Sequence, residues 1–366
     1  MQIATNFERV RRALLRQGEG DRVPLFELSI HSSIKAKVLG RPIKSIIDEI
    51  DFWRETGYDF VPIRAGVRSV VRGLHPAVKE WRRMRMQDSP VSSNEAWVNE
   101  ESGLIKTRQD FEEMPWPAPE DLGGYNDYVS MVDYLQEMNR VLPADMKLIP
   151  QLGYLFMGAW QLMGLENFAL SLTDRPDFVK AVIDRLAKSQ LAVLDILLQY
   201  DIVGAIWMPD DLCYNSGPMV SPKVYKQYVY SWYIQMIERC HRANIPVGLH
   251  SDGDLNRILP DLVELGFDCI HPFEPPRNDI VAVKKNWGHR LAVAGNIDLK
   301  TTLCNGTPAM VEEEVKNKAA ALAPGGGWLL GSSNSIPDFV PLENYRALIS
   351  SSLHYGNYRA AREFRG

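Results

Sequence analysis

A histidine and two carboxylates follow neighbouring apolar runs of the chain. His250 and Asp252 stand two residues apart at the end of one run, and Glu274 follows the next. Side chains two apart on a strand point to the same face, so His250 and Asp252 can face one ion together. One imidazole and two carboxylates predict a divalent metal site for zinc, with manganese and iron as the alternative ions. The alternative is a polar network in which Asp252 caps a helix and Glu274 pairs with Arg277.

Other carboxylates lie at similar places. Asp210 and Asp211 directly follow an apolar run, where they could bind a cationic group or act as general base, or simply cap a loop. Glu27 lies within an apolar run, and a buried carboxylate needs a partner, so it is either catalytic or part of a core ion pair. The predicted catalytic residues are Glu27, Asp210 and Asp252.

The remaining polar residues at the ends of apolar runs are predicted to bind substrate. Arg64 could hold an anionic group such as a carboxylate, and a salt bridge is its alternative role. The predicted substrate-binding set is His31, Arg64, Asp211, Tyr214, Asn296 and Ser333.

Eight short apolar runs would position these side chains. Most are nearly continuous, as expected of parallel strands buried on both faces, and amphipathic helical patterns separate them. This alternation predicts an α/β fold, a (β/α)8 TIM barrel with its site at the carboxyl ends of the strands. A doubly wound sheet, the alternative, would need a glycine-rich turn after the first strand, which this sequence lacks. The predicted strands are Val23–Ile30, Tyr58–Ile63, Met146–Leu152, Ile202–Met208, Pro246–His250, Asp268–Phe273, Arg290–Ala294 and Trp328–Ser332.

A polar stretch interrupts the alternation after the second predicted strand. We interpret residues 67–117 as an insertion with a β-hairpin, formed by Ala96–Val98 and Leu104–Thr107 around a turn. Long excursions after a barrel strand often form lids over the site, and a plain surface elaboration is the alternative. Residues 1–366 are otherwise predicted to form a single domain.

Composition excludes several classes of partner. The 366 residues carry a formal charge of -5, which argues against nucleic acid or anionic membranes as partners. No apolar run approaches the roughly 20 residues of a membrane span. The charged N-terminus lacks the apolar core of a signal peptide, so we expect a cytoplasmic protein. None of the four cysteines forms a C-x-x-C pair, which argues against a zinc knuckle or a redox motif.

Several segments together resemble the uroporphyrinogen decarboxylase superfamily, whose fold is a (β/α)8 barrel. They span most of the chain. The segments are DRVPLFEL, PDDLCYNSGPMVSPKVYKQYV, HSDGDLNRILPDLVELGFDCIHPFEP, GNIDLKTTLCNGTPAMVEEEV and APGGGWLLGSSNSIPDFVPLENY.

The resemblance favours the corrinoid-dependent methyltransferase branch of this superfamily. The arginine-rich N-terminal signature of true uroporphyrinogen decarboxylases is absent, and LFELSIHSSIKAKVLG stands in its place. Methyltransferase members hold zinc with a His-x-Cys, in some members a glutamate, and a final cysteine. Here His250 matches the histidine, Asp252 stands in place of the first cysteine, and Glu274 matches the glutamate. The position of the final cysteine falls near Ser332-Ser333, so this chain lacks that cysteine as well.

Oxygen in place of sulfur makes a harder metal site, which better polarises an ether oxygen. The resemblance therefore implies an O-demethylase-type methyltransferase, which would move a methyl group from a methoxylated substrate, expected to be aromatic, to a separate corrinoid protein. Either the metal or an acid such as Asp252 or Glu274 would stabilise the departing oxygen. A metal-assisted decarboxylase or lyase acting on a small carboxylic acid, and a non-catalytic binding protein of a corrinoid gene cluster, are the alternatives. Members of the family often form dimers, so the resemblance is compatible with a homodimer, although nothing in the sequence itself defines the oligomeric state.

Overall fold

The computed structural model describes residues 4–85, 103–122 and 130–358. Its main sheet has seven parallel strands in the order β1-β2-β3-β6-β7-β8-β9, and β4 and β5 form a separate antiparallel pair. The strands are β1 Phe60–Arg64, β2 Lys147–Gln151, β3 Ile206–Pro209, β4 Cys213–Tyr214, β5 Gly217–Pro218, β6 Val247–His250, β7 Cys269–His271, β8 Ala292–Ala294 and β9 Trp328–Leu329.

Helices separate the strands of the main sheet, as the α/β prediction requires. Within the described ranges, no helix combines the length and the apolar character that a membrane crossing needs. The helices are α1 Phe7–Leu14, α2 Ser32–Leu39, α3 Ile46–Glu55, α4 Arg68–Val71, α5 Pro76–Arg85, α6 Arg108–Glu113, α7 Met131–Val141, α8 Phe156–Met163, α9 Leu165–Asp174, α10 Pro176–Leu197, α11 Pro222–Tyr228, α12 Tyr230–Arg242, α13 Leu259–Leu265, α14 Ile280–Trp287, α15 Pro308–Leu322 and α16 Leu342–Tyr355.

Seven of the eight predicted strands are confirmed, and the first is not a regular strand. The segment Val23–Ile30 makes isolated parallel bridges at Leu25 and Ile30, and the bridge at Leu25 pairs it with Leu330 just beyond β9. The Pro24 carbonyl accepts from the Leu330 N–H at 2.9 Å, and the Phe26 N–H donates to the Leu330 carbonyl at 2.8 Å. The sheet therefore has seven laddered strands, with this segment beside β9.

The same segment nevertheless faces the interior of the curved sheet. The Phe26 ring centroid lies 5.5 Å from that of Phe60, 4.4 Å from that of Trp207 and 5.5 Å from that of His271. These three rings belong to β1, β3 and β7, so one buried phenylalanine packs against three separate strands. Such contacts position the neighbouring Glu27 beside the carboxyl ends of the strands.

The insertion differs from its prediction where the structure describes it. Leu104–Thr107, expected as the second hairpin strand, has no strand structure; Ile105 is buried, and its N–H donates to the Leu162 carbonyl at 2.8 Å. Thr107 then caps α6 in a reciprocal capping box with Asp110, a local preference for helix that competes with the hairpin. The other strand, Ala96–Val98, lies outside the described residues, and the lid role stays a prediction.

One buried side-chain amide connects the loops that follow β1 and β2. Gln190, on α10, accepts a hydrogen bond from the Val67 N–H at 3.3 Å through its Oε1. Its Nε2 donates to the Gly153 carbonyl. Between them, Gly66 has a φ of +72°, in the left-handed region, and a Cβ at this position would collide with the Gln190 side chain. The outer helical layer therefore fixes both loops at the carboxyl edge of the sheet.

Candidate active site

Two histidines lie side by side where β6 and β7 end. His250 and His271 are paired in the parallel register of these strands. Their Nδ1 atoms are 2.8 Å apart, a hydrogen-bond distance, and their rings stack at 5.0 Å between centroids. Only one of the two Nδ1 atoms can carry the shared proton.

The proton positions in this pair follow from a third group. The His271 Nε2 lies 3.2 Å from the Ser332 carbonyl oxygen, which can only accept, so this nitrogen carries a proton. Burial lowers the pKa of His271 well below its usual value, and the neighbouring His250 lowers it further, so the ring is neutral. His271 Nδ1 is then the acceptor, and His250 Nδ1 is the donor. In its neutral form, His250 therefore presents the bare lone pair of Nε2 on the other side.

That Nε2 faces two carboxylates. It is 3.4 Å from Asp252 Oδ1 and 3.8 Å from Asp211 Oδ1. One ligand atom from each of the three residues falls within 4.8 Å of the other two. The register Pro209↔His250 between β3 and β6 brings Asp211 here, and the Asp252 N–H donates to Asp211 Oδ1 at 3.1 Å.

The donor set of this cluster fits a divalent cation. Asp252 Oδ1 is buried and has no hydrogen-bond partner, whereas its Oδ2 accepts from Asn334 Nδ2 at 2.8 Å. Burial raises the pKa of Asp252, and the neighbouring carboxylates of Asp211 and Glu274 raise it further. His250 acts in the opposite direction and lowers this pKa. A cation would stabilise three groups together: the unpartnered oxygen of Asp252, the carboxylate of Asp211 and the lone pair of His250 Nε2.

The predicted pair of His250 and Asp252 is thus brought together, and Glu274 lies beside it. One oxygen of Glu274, Oε2, accepts from the Gly253 N–H at 2.8 Å, which fixes the turn that follows β6. Among the described residues the third member of the compact cluster is Asp211, which we predicted as substrate-binding. Ligation by Glu274 stays a prediction.

Asp210 has its own set of partners. Its carboxylate accepts from the backbone N–H groups of Leu155, Phe156 and Met157 at 2.6–2.9 Å and from the Tyr233 hydroxyl at 2.7 Å. Burial raises the pKa of Asp210 to about 6, and these hydrogen bonds oppose that rise. Four donors engage both oxygens at the beginning of α8, so the geometry supports a positioning role, and the catalytic role stays a prediction.

Glu27 is fully buried against the loop that follows β9. Its Oε1 accepts from the Ser332 N–H at 2.7 Å, and its Oε2 lies 2.7 Å from Ser332 Oγ. Burial raises the pKa of Glu27 to about 8, against an ordinary value of 4.5, and the two contacts with Ser332 oppose that rise. No cation partner accompanies it among the described contacts, so the core ion pair that the sequence left open is absent there, and Glu27 is a neutral acid near pH 7.

Replacing Glu27 with glutamine is expected to change how stability depends on pH. Because the pKa of Glu27 is raised in the folded state, its contribution is fully present below about pH 4.5 and is lost as the pH rises through about 8. This group alone lowers the free energy of unfolding by up to ~1.4 kcal/mol per pH unit across that window. Glu27→Gln keeps a neutral side chain of the same shape and removes this slope.

Urea denaturation of both proteins between about pH 5 and about pH 8 measures the difference. Glu343 is exposed on α16, so Glu343→Gln is the matched control and should leave the wild-type profile unchanged. Parallel profiles for wild type and Glu27→Gln would show that Glu27 is ionised in the folded protein.

Three of the predicted substrate residues lie at accessible positions. His31 caps α2, since its Nδ1 accepts from the Ser33 N–H at 3.2 Å. Arg64 is exposed at the end of β1, with its guanidinium 3.4 Å from Ser29 Oγ. Tyr214, on β4, is exposed. Contact of these side chains with substrate stays a prediction.

The other two, Asn296 and Ser333, are buried and hold loops together. Asn296 Nδ2 donates to the Phe273 carbonyl at 2.5 Å, and its Oδ1 accepts from Lys318 Nζ at 2.5 Å. Ser333 Oγ accepts from the Leu299 N–H at 3.0 Å. These contacts position the loops after β8 and β9, and a substrate contact for either residue stays a prediction.

Two residues that shape the cluster were given no role from the sequence. His271 sets the tautomer of His250, and Asn334 holds Asp252. A histidine at the end of each of two successive strands was the available signal for His271, because parallel neighbours in register place such residues side by side. Asn334 could not be assigned this way, since it approaches from a loop after a distant strand.

Comparison with known proteins identifies the family. The family model for uroporphyrinogen decarboxylase (URO-D) matches residues 100–354. The chain belongs to the URO-D family. The family predicted from the sequence is therefore confirmed, and the candidate metal cluster lies within the matched region.

Curated relatives of this URO-D family chain carry two kinds of name. Methylated-thiol–coenzyme M methyltransferase of Methanosarcina mazei is 24% identical over 246 residues, which cover 65% of this chain and 61% of the relative. Methylcobamide:CoM methyltransferase MtaA of Methanosarcina barkeri is 25% identical over 197 residues, 54% of this chain and 55% of the relative. Uroporphyrinogen decarboxylase of Citrobacter koseri is 23% identical over 261 residues, 68% of both proteins. The matches to the two methyltransferases thus span less than two thirds of those relatives.

One solved structure shares the fold across the whole chain. A methyltransferase from Methanosarcina mazei superposes with a TM-score of 0.61 at 17% sequence identity, covering 99% of this chain and 100% of that one. At this identity the likeness establishes the fold and leaves the activity to be argued from the site.

Proposed function

We propose that this URO-D family chain is a corrinoid-dependent methyltransferase of the O-demethylase type. It takes a methyl group from a methoxylated aromatic molecule and passes it to the cobalt of a separate corrinoid protein. The methyltransferases among its relatives support the methyl-transfer class. The oxygen-bound methyl group is inferred from the ligand set of the candidate metal cluster.

The absence of sulfur from that cluster is the observation that carries the proposal. All four cysteines are among the described residues, and none belongs to the group formed by Asp211, His250 and Asp252. These three residues would hold zinc or a similar ion, which when bound supplies Lewis acidity to the oxygen that loses its methyl group. A cluster of two carboxylates and one imidazole is harder than a thiolate site and suits an oxygen leaving group.

The surrounding residues hold the three candidate ligands in place. His271 fixes the tautomer of His250, Asn334 orients Asp252, and the backbone of Asp252 orients Asp211. Such hydrogen bonds to ligand side chains govern metal affinity and geometry. In the transfer, the C–O bond of the methoxy group breaks and oxygen keeps the electron pair. The reduced cobalt of the partner supplies the pair for the new C–Co bond.

Formation of methylated cobalt tests the proposal. The purified chain, reconstituted with zinc, is mixed with reduced corrinoid protein and a panel of methoxyarenes, and the corrinoid absorbance is followed. We expect the methyl-cobalt spectrum together with the matching phenol. Neither product across the panel, with metal bound, would exclude the O-demethylase assignment. Release of CO2 from a small carboxylic acid would favour the decarboxylase alternative.

A further inference from the structure

We propose that Arg68, Arg72 and Tyr154 form a binding site for the carboxylate of a small-molecule substrate. The site lies at the same carboxyl edge of the sheet as the candidate metal cluster. That this carboxylate belongs to the methyl donor rests on the proposed function; the existence of the site does not.

Two guanidinium groups converge on one phenol. Arg68 Nε donates to Tyr154 Oη at 2.7 Å, and the Arg68 guanidinium carbon lies 6.0 Å from the centre of the tyrosine ring. Arg72 lies four residues further along the chain, directly after α4, and its guanidinium interacts electrostatically with this phenol. One phenol thus faces two guanidinium groups, each with five N–H donors, and most of these donors find no partner among the described residues, so another group can satisfy them.

The charge at this point is not balanced by the described protein groups. Burial lowers the pKa of Arg72, the charge of Arg68 lowers it further, and only Tyr154 acts in the opposite direction. No described carboxylate is among the charges that act on Arg72, and its buried Nε has no hydrogen-bond partner. Two adjacent, partly buried cations with no counterion in the described part of the chain repel each other, and a bound anion would relieve that repulsion.

The backbone places this pair beside the metal cluster and holds it there. The Tyr154 N–H donates to the Pro209 carbonyl at 2.9 Å, two residues before Asp211. Tyr154 has a φ of +65°, in the left-handed region that a tyrosine rarely adopts. Such strain persists where the surroundings impose it, and it is concentrated at ligand-binding sites. Gln190 holds the loops of both Arg68 and Tyr154 through one side-chain amide.

A carboxylate is the ligand that this arrangement favours. The planar guanidinium fork matches the two oxygens of a carboxylate, and charge-assisted bonds of this kind are stronger than neutral ones. The proposed methyl donor would then be a methoxylated aromatic acid, bound by its carboxylate at the arginines with its methoxy group towards Asp211.

Calorimetric titration of the full chain with benzoate, methanesulfonate and inorganic phosphate tests the site. We expect benzoate to bind more tightly than the other two probes, and both Arg68→Gln and Arg72→Gln to weaken it by about tenfold or more. Arg83 is exposed on the neighbouring α5, so Arg83→Gln is the matched control and should leave the affinity unchanged. If a glutamine variant does not fold, Arg72→Lys keeps the charge without the fork and should still weaken benzoate.

Each other outcome overturns the proposal. Equal benzoate affinity in wild type and both arginine variants would show that neither arginine binds the carboxylate. The absence of binding by all three probes would show that there is no anion site. A preference for phosphate or methanesulfonate would exclude the carboxylate. Because these titrations need neither metal nor corrinoid, failure of methyl transfer with benzoate binding intact would count against the proposed function alone.

Discussion

Replacing His250 with alanine is expected to remove the bound metal and, with it, methyl transfer. The imidazole is the one nitrogen ligand of the cluster, and its loss leaves Asp211 and Asp252 as two like charges without a neutral ligand between them. Loss of a hydrogen-bond partner of a ligand already lowers metal affinity by about 10–100-fold, so loss of the ligand itself is expected to lower it by about a hundredfold or more, roughly 3 kcal/mol. Elemental analysis after dialysis measures the effect directly, with about one ion expected per wild-type chain.

The control for this change is another histidine. His289 is exposed in the connection before β8, at the opposite end of the sheet from the cluster, so His289→Ala should retain the wild-type metal content. Full metal in His250→Ala would place the ion elsewhere. The metal content of Asp211→Asn and Glu274→Gln then distinguishes the two ligand sets. Metal loss in Asp211→Asn supports the cluster in the structure, and metal loss in Glu274→Gln supports the set predicted from the sequence.

Gly66→Ala is expected to destabilise the fold strongly. At a φ of +72°, a Cβ would collide with the Gln190 side chain and approach Leu152 Cδ1 to 2.8 Å. Left-handed strain of roughly 1–2 kcal/mol and overpacking of roughly 1–3 kcal/mol together predict a loss of about 2–5 kcal/mol. The collision would also displace the amide that connects the loops after β1 and β2.

Gly40 separates the two contributions. Its φ is +70°, but no heavy atom lies within 4 Å of the position that a Cβ would occupy, so Gly40→Ala carries the conformational cost without the collision. Urea denaturation of both variants should therefore show the smaller loss for Gly40→Ala, of roughly 1–2 kcal/mol. Equal losses in the two variants would mean that Gln190 does not constrain the loop.

The strand pattern was predictable because parallel strands buried on both faces read as continuous apolar runs. Seven of the eight runs become laddered strands for this reason. Val23–Ile30 is also mainly apolar, yet it makes only isolated bridges. Its proline does not explain the difference, because β1 and β2 form regular ladders through Pro62 and Pro150. The prediction of Leu104–Thr107 as a hairpin strand was wrong because the capping box of Thr107 favours a helix directly after it. Ile105 instead packs against α8, and the sequence alone does not indicate this contact.

The site was predictable where two ligands share one strand end. His250 and Asp252 followed from their spacing alone. Asp211 was found as a polar strand end, but its place in the cluster depends on the register between β3 and β6, which spacing along the chain does not define. Asn334 and Arg68 act through partners more than 80 residues away, so their contacts needed the folded structure.

The position of Gln190 has a consequence for altering the specificity of this protein. Its side chain holds the arginine-bearing loop and the tyrosine-bearing loop at once, from a helix of the outer layer. If Arg68 and Tyr154 bind substrate as proposed, substitutions on α10 that contact no ligand are expected to change substrate preference. Directed evolution that randomises only pocket-lining positions would miss this route, whereas libraries that include the inner face of α10 would sample the spacing between the two loops.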